Sequence, residues 1–241
     1  MLIPVYNHEA AIAGVVTQLQ ARGLPIILIN DGSRASCRRV LSDLAANSKL
    51  IRLVELPENR GKGGAIKAGL RFARQQSYTH ALQIDADGQH AVEDIEQFLE
   101  AGQRYPAALI SGLPVYDESI PASRYYGRYL THFWVMVNTL SRQIKDSMCG
   151  FRLYPVVAIM QLLEREFTGN RMDFDTEIMV RWVWAGGEIV HIPTKVCYPP
   201  DGVSHFQVWR DNLLITKMHI RLFFGMLWRL PRLVKMRVMG R

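Results

Sequence analysis

Ile26-Ile27-Leu28-Ile29-Asn30-Asp31-Gly32-Ser33 is a run of four apolar residues followed at once by a polar turn. A strand buried on both faces reads as such an unbroken apolar run, and the polar ending puts reactive side chains at its carboxyl end. The same pattern recurs on either side. Residues 2–6 lead into Asn7-His8, residues 51–56 into Asn59-Arg60-Gly61-Lys62-Gly63-Gly64, and residues 81–84 into Asp85-Ala86-Asp87-Gly88-Gln89-His90, while residues 108–110 form a fifth strand candidate. Helical spacing fills the intervals: Ile12, Val15, Val16 and Leu19 recur at i, i+3, i+4 and i+7, and Ile95, Phe98 and Leu99 share one face. Alternating strands and helices predict an α/β fold, a mostly parallel central sheet flanked by helices, with ligands bound at the carboxyl ends of the strands. Four polar strand ends then converge on one crevice.

Composition supports a folded domain. The 241 residues are 49% hydrophobic and 21% charged, with 18 Gly and 11 Pro, which excludes collagen-like and disordered classes. Cys37, Cys149 and Cys197 are odd in number and lack CxxC spacing, so neither a disulfide framework nor a zinc site is expected, and a reducing cytoplasmic home is the simplest. No secretory signal is expected, because Met1 leads directly into the first strand. After residue 111 the rhythm changes. Tyr126, Tyr129, Leu130, Phe133, Trp134 and Val137 fall at helical spacing, later strands are expected to be fewer, and residues 114–121 (PVYDESIP) read as a loop beside the site.

The net charge of +7 is local. Residues 212–241 hold seven basic residues and no acid, whereas the remainder balances. Nucleic-acid enzymes spread cations over a binding face, so no nucleic-acid partner is expected. The basic residues are interleaved with Leu, Phe, Met and Trp: Arg210, Lys217, Arg221, Arg229 and Arg232 keep near one helical face, and Trp209 and Trp228 suit a headgroup level. A catalytic domain over 1–205 with a basic amphipathic tail over 206–241 is the expected division, the tail being an interfacial membrane helix or else a contact to another subunit or partner. Leu222 to Trp228 is far shorter than the roughly 20 residues that span a bilayer. The expected location is therefore the inner face of the cytoplasmic membrane, held peripherally to an anionic surface.

Asp85 and Asp87, one residue apart at a strand end, repel each other unless a cation or donor compensates them. A divalent ion does so, and a diphosphate is its usual companion in oxygen sites, with Gln89 adding a neutral oxygen. A solvated turn is the plainer alternative. Gly61-Lys62-Gly63-Gly64 opens a helix, so backbone N–H groups and a lysine can face a phosphate. It is neither a P-loop nor a dinucleotide fingerprint, since no Lys-Ser or Lys-Thr follows the second glycine and Ile66 stands at the third glycine position.

In order and spacing, IPVYNH, NDGS, NRGKGGAIKAG and DADGQH resemble the family-2 inverting glycosyltransferases of GT-A fold, particularly the dolichyl- and polyprenyl-phosphate sugar transferases. DSMCGFRLY at 146–154 and DFDTE at 173–177 extend the likeness. The resemblance implies a nucleotide-diphosphate sugar donor bound by Pro4, Tyr6, Asn7, Asp31, Lys62, Gly63 and Asp85, with Asp31 on the base. It implies Mg2+ or Mn2+ at Asp87 and Gln89. It places Asp175 where many members carry the base that deprotonates an acceptor hydroxyl, with Glu177 two positions on. A phosphate acceptor, already anionic, needs cations instead. Relatives carry an Arg-x-x-Gly-x-Ser-Lys pattern near the end of the domain. Here Pro199 and His205 replace its ends, leaving Arg124, Arg128, Arg152 and His205 as the candidate acceptor clamp. Relatives also have more strand before IPVYN, so either the first strand is short or the start is late. The acceptor stays open between a lipid-linked group and a soluble or saccharide hydroxyl, and a nucleotide-sugar-binding protein without catalysis is the remaining alternative.

Overall fold

The computed structural model describes residues 1–116, 122–196 and 207–238. Its elements run β1 (Leu2–Val5), α1 (Glu9–Gln20), β2 (Ile26–Asp31), α2 (Ala35–Ala46), β3 (Ile51–Leu56), α3 (Lys62–Gln75), β4 (His80–Gln83), α4 (Ile95–Arg104), β5 (Leu109–Tyr116), α5 (Ala122–Thr139), β6 (Arg152–Pro155), α6 (Val156–Arg165), α7 (Phe174–Trp184), β7 (Ile189–Val196) and α8 (Val208–Val238). Seven strands form one sheet in the order β3-β2-β1-β4-β6-β5-β7. Strands β1 to β4 and the β5–β7 pair run parallel, while β6 is antiparallel to both β4 and β5.

The apolar runs are buried on both sides because successive side chains serve two cores. In β2, Ile27 and Ile29 join the core beneath α3 and α7, and Ile26 and Leu28 join the opposite core with Ile12, Val16 and Phe98. Helices on both faces leave only the strand ends open, which is where the polar turns lie.

The second half departs from expectation in three ways. β6 was not anticipated, because Arg-Leu-Tyr-Pro carries an arginine and a proline, yet all four residues are buried. β7 was also missed. It is an edge strand, where Pro193 costs no ladder bond, and its Pro and Lys mask the period. Pro114, Val115 and Tyr116, read as loop, extend β5 and pair with Thr194, Lys195 and Val196; residues 117–121 lie outside the described residues.

The expected separate tail is corrected more substantially. Helix α8 packs on α5 and α7, and Met218, Leu222, Met226 and Leu233 along one of its faces join the core. Two of its arginines are spent inside the protein: Arg221 donates 2.6 and 3.0 Å hydrogen bonds to Glu177, and Arg229 meets Glu166 at 2.6 Å. The opposite face stays open, with Trp209 91% and Trp228 86% exposed and the exposed Arg210, Lys217, Arg232 and Lys235 interleaved with its apolar side chains. Among the described residues, no helix is long and apolar enough to cross a membrane.

Candidate active site

The converging strand ends form the floor of a crevice of about 1390 Å³. Pro4 and Tyr6 follow from β1, Asp31 from β2, Lys62 from the start of α3, and Asp85, Asp87 and Gln89 from the turn after β4. The crevice continues into a wall of Leu130 and Trp134 from α5 and Ile215, Ile220, Phe223 and Phe224 from α8. One end is therefore charged and the other apolar.

Lys62 organises the charged end. Its ammonium lies 2.9 Å from Asp85 Oδ2 and 3.0 Å from Asp175 Oδ2. Burial alone would favour the neutral amine, but the two carboxylates hold its pKa above the ordinary lysine value. Burial likewise opposes ionisation of Asp85, yet Lys62 and His90 keep its carboxyl well below the usual range. His90 Nε2 sits 3.4 Å from Asp85 Oδ2. The packing needs Gly150: a Cβ there would stand 2.3 Å from Asp85 Oδ2 and 2.7 Å from Lys62 Nζ, which gives the glycine of DSMCGFRLY its reason.

Asp87 is pushed the other way, its carboxyl raised by burial and by the neighbouring Asp85 charge. Asp85 Oδ1 is buried without a partner. An orphaned carboxylate oxygen, a second carboxylate held at raised cost and the Gln89 amide make a hard-oxygen set suited to Mg2+ or Mn2+. Among the described residues, no group of three or more His, Cys, Asp or Glu stands together as a metal cage.

Asp31, 2% exposed, accepts the N–H groups of Arg60 at 2.7 Å and Gly61 at 2.9 Å. Burial raises its pKa despite those bonds and the nearby Arg171 charge. Asn59, from the polar end of β3, and Arg171 both line the crevice beside it, and the sequence pointed only to the first. Arg171 lies just ahead of DFDTE, and no strand-end pattern marks it.

Several expected site residues do not face the crevice. Arg152 is fully buried, donating 2.7 Å hydrogen bonds to the Asp175 and Ser147 carbonyls with its headgroup 3.6 Å from Asp175 Oδ1, so it supports Asp175 rather than an acceptor. Glu177 is also fully buried. Its oxygens accept from Arg181, Arg221 and the Gly169 N–H, which makes it the anchor between α7 and α8 instead of a catalytic acid. Gly63 is needed for packing, since a Cβ would fall 2.4 Å from the Phe174 Cβ. Asn7, at φ 53, ties the β1 turn to the β2 turn by accepting the Arg34 N–H at 2.8 Å. Asp175 is 7% exposed and sits behind Lys62. Arg128 does line the crevice, paired with Asp146 at 2.5 Å. The Arg124 side chain and His205 lie outside the described residues.

The family model for glycosyl transferase family 2 matches residues 1–163. A dolichyl-phosphate beta-glucosyltransferase of Dictyostelium discoideum is 30% identical over 220 residues, 83% of this chain and 63% of that protein. The chain thus spans somewhat less than two thirds of that relative's length. A UDP-N-acetylglucosamine–dolichyl-phosphate N-acetylglucosaminyltransferase of Methanococcus voltae is 25% identical, covering 82% of this chain and 85% of that one. Among solved structures, a mannosyltransferase from Pyrobaculum calidifontis in complex with GDP-Man and Mn2+ superposes with a TM-score of 0.57 over 97% of this chain and 72% of that one, at 15% identity. The expected GT-A architecture is the one observed.

Proposed function

Because the chain belongs to glycosyl transferase family 2, we propose that it moves a sugar, with inversion, from a nucleotide-diphosphate sugar to a lipid-linked phosphate at a membrane surface. The observation that carries this reading is the crevice itself, continuous from Asp85 and Asp87 to the apolar wall of α5 and α8. A polar sugar nucleotide suits the first end and a hydrocarbon chain the second. Relatives named for dolichyl-phosphate acceptors support the same choice.

In the proposed reaction an acceptor phosphate oxygen attacks the anomeric carbon from the face opposite the departing diphosphate. Asp87 and Gln89, with Asp85 beside them, would hold a divalent cation together with the donor. Such an ion supplies charge neutralisation for the leaving diphosphate. Asp85 and Asp175 fix the Lys62 ammonium at the rim of that site, so a positive charge is in place before the substrate arrives and needs no reorganisation. Arg128, which lines the crevice from α5, would meet the acceptor's phosphate. The open face of α8 would rest in the lipid headgroup layer and bring the acceptor's phosphate to the crevice mouth.

Asp175 distinguishes the acceptors. Lys62 at 3.0 Å and Arg152 at 3.6 Å engage its carboxylate, which supports a counter-charge role for it. Asp175→Asn is expected to lower turnover with polyprenyl phosphate by less than about tenfold, whereas loss of a true general base costs roughly 100- to 10,000-fold. Steady-state transfer to polyprenyl phosphate, measured beside transfer to saccharide hydroxyls, checks this. A loss in the larger range would favour a hydroxyl acceptor with Asp175 as base.

A further inference from the structure

Three half-buried cations line the crevice: Lys62, Arg128 and Arg171. Lys62 and Arg128 are matched by carboxylates. Arg171 has no carboxylate within 4 Å among the described residues. Among those residues its guanidinium makes one hydrogen bond, 3.3 Å from Nη1 to Asn59 Oδ1, which leaves most of its five donors available to a ligand.

The backbone carrying Arg171 is pinned. Lys67 Nζ donates to the Thr168 carbonyl at 2.7 Å, the Gly169 carbonyl at 2.8 Å and Asn170 Oδ1 at 2.8 Å. Glu177 accepts the Gly169 N–H at 2.8 Å, and the Gly64 N–H donates to the Asn170 carbonyl at 2.9 Å. The loop lies flat on Gly61, where a Cβ would stand 2.6 Å from Arg171 Cγ. Gly61 also donates its N–H to Asp31. Arg171 is thereby held beside Asp31 before any ligand binds, which lowers the ordering cost of recognition.

The location selects which part of a nucleotide lies there. Asp31 ends β2 and Asp85 follows β4, with β1 between them, so the two sites are separated by two strand spacings, about 10 Å. The Lys62 ammonium and the divalent cation that Asp87 and Gln89 would hold draw the diphosphate to the Asp85–Asp87 end, while among the described residues the Asp31 carboxylate has no such cation bound to it. The uncharged base is left for the Asp31 end. A carboxylate that accepts, next to a guanidinium that donates, matches a base edge on which an N–H adjoins a carbonyl. Uracil and guanine have that edge; held in the same pose, cytosine and adenine put a bare ring nitrogen against the carboxylate and an amino group against the guanidinium and mismatch both.

We propose that Arg171, acting together with the nearby Asp31 carboxylate, is a specificity-determining residue that reads an adjacent N–H and C=O on the donor's base, admitting uridine or guanosine diphosphate sugars and rejecting cytidine and adenosine ones. The inference rests on the nucleotide-sugar reading above.

The test is calorimetric titration of the full chain with UDP, GDP, CDP and ADP in Mg2+, repeated with Arg171→Met and Arg171→Lys, folding being checked by thermal melting. The wild-type chain is expected to bind UDP or GDP about ten- to a hundredfold more tightly than CDP and ADP. Arg171→Met should weaken the favoured nucleotide by a similar factor and leave CDP and ADP within about threefold, so that discrimination collapses. Arg171→Lys keeps the charge but loses the planar fork, and discrimination should fall there too. Equal weakening of all four nucleotides would make Arg171 a diphosphate contact and overturn the proposal, as would unchanged discrimination or a preference for CDP or ADP. A wild-type chain that binds none of the four defeats the nucleotide-sugar reading itself, which is a different outcome from discrimination that ignores Arg171.

Discussion

Asp87→Ala is expected to abolish sugar transfer while leaving the protein folded. If Asp87 holds the proposed cation, losing its oxygen would remove several kcal/mol of stabilisation from the departing diphosphate, equivalent to about a hundred- to several-thousandfold in rate. The structural cost is small. Asp87 sits in the turn after β4, and among the described residues its carboxylate accepts one hydrogen bond, from the Gln89 N–H at 3.1 Å. Its charge also opposes Asp85, so removing it relieves repulsion in the unliganded protein. Transfer assays across a Mg2+ or Mn2+ series, beside thermal melting, test both halves. Full activity with an undiminished metal requirement would contradict the assignment.

Deletion of residues 207–241 is expected to prevent folding, not to release a soluble catalytic domain. Met218, Leu222, Met226 and Leu233 are each at most 4% exposed. Losing them forfeits roughly 1.5–3 kcal/mol apiece, comparable in sum with the about 5–15 kcal/mol that holds a typical domain together. Glu177, fully buried, would lose Arg221, and Glu166 would lose Arg229. Recovery of soluble protein with a cooperative melt after deletion would contradict this. Membrane contact is separable from folding only at the outer face. Trp209→Ser and Trp228→Ser together replace side chains 86% or more exposed, so they should leave the melt unchanged and release the protein from anionic vesicles in co-sedimentation. Wild-type binding should weaken only partly with salt, because Arg221 and Arg229 are committed to internal partners.

That difference shows what local pattern reveals and what it leaves out. The runs at β1 to β4 are legible because strands buried on both faces have no polar side to blur them, and their polar endings announce the crevice. β6 is not legible. Its Arg152 is tolerated in a core only because the Asp175 and Ser147 carbonyls accept its protons, and those partners lie 23 and 5 residues away. Glu177 misled for the same reason: an acid two places after Asp175 on α7 looks catalytic until Arg181 and Arg221 are seen to close over it. The basic stripe on α8 looked like a membrane signal throughout, whereas pairing with Glu166 and Glu177 turns part of it into internal scaffolding. Arg171 was invisible because its meaning comes from contact with Asn59, 112 residues earlier in the chain.

The central claim, sugar transfer from a nucleotide to a lipid phosphate, is tested most directly by presenting radiolabelled UDP- and GDP-sugars with Mg2+ or Mn2+ to the full chain, with either polyprenyl phosphate or the matching dephosphorylated polyprenol in anionic vesicles. The account predicts label passing into the organic phase with polyprenyl phosphate alone, in a product whose sugar-phosphate bond is cleaved by mild acid. Label transferred to the polyprenol or to a water-soluble saccharide, with none on the lipid phosphate, would contradict it.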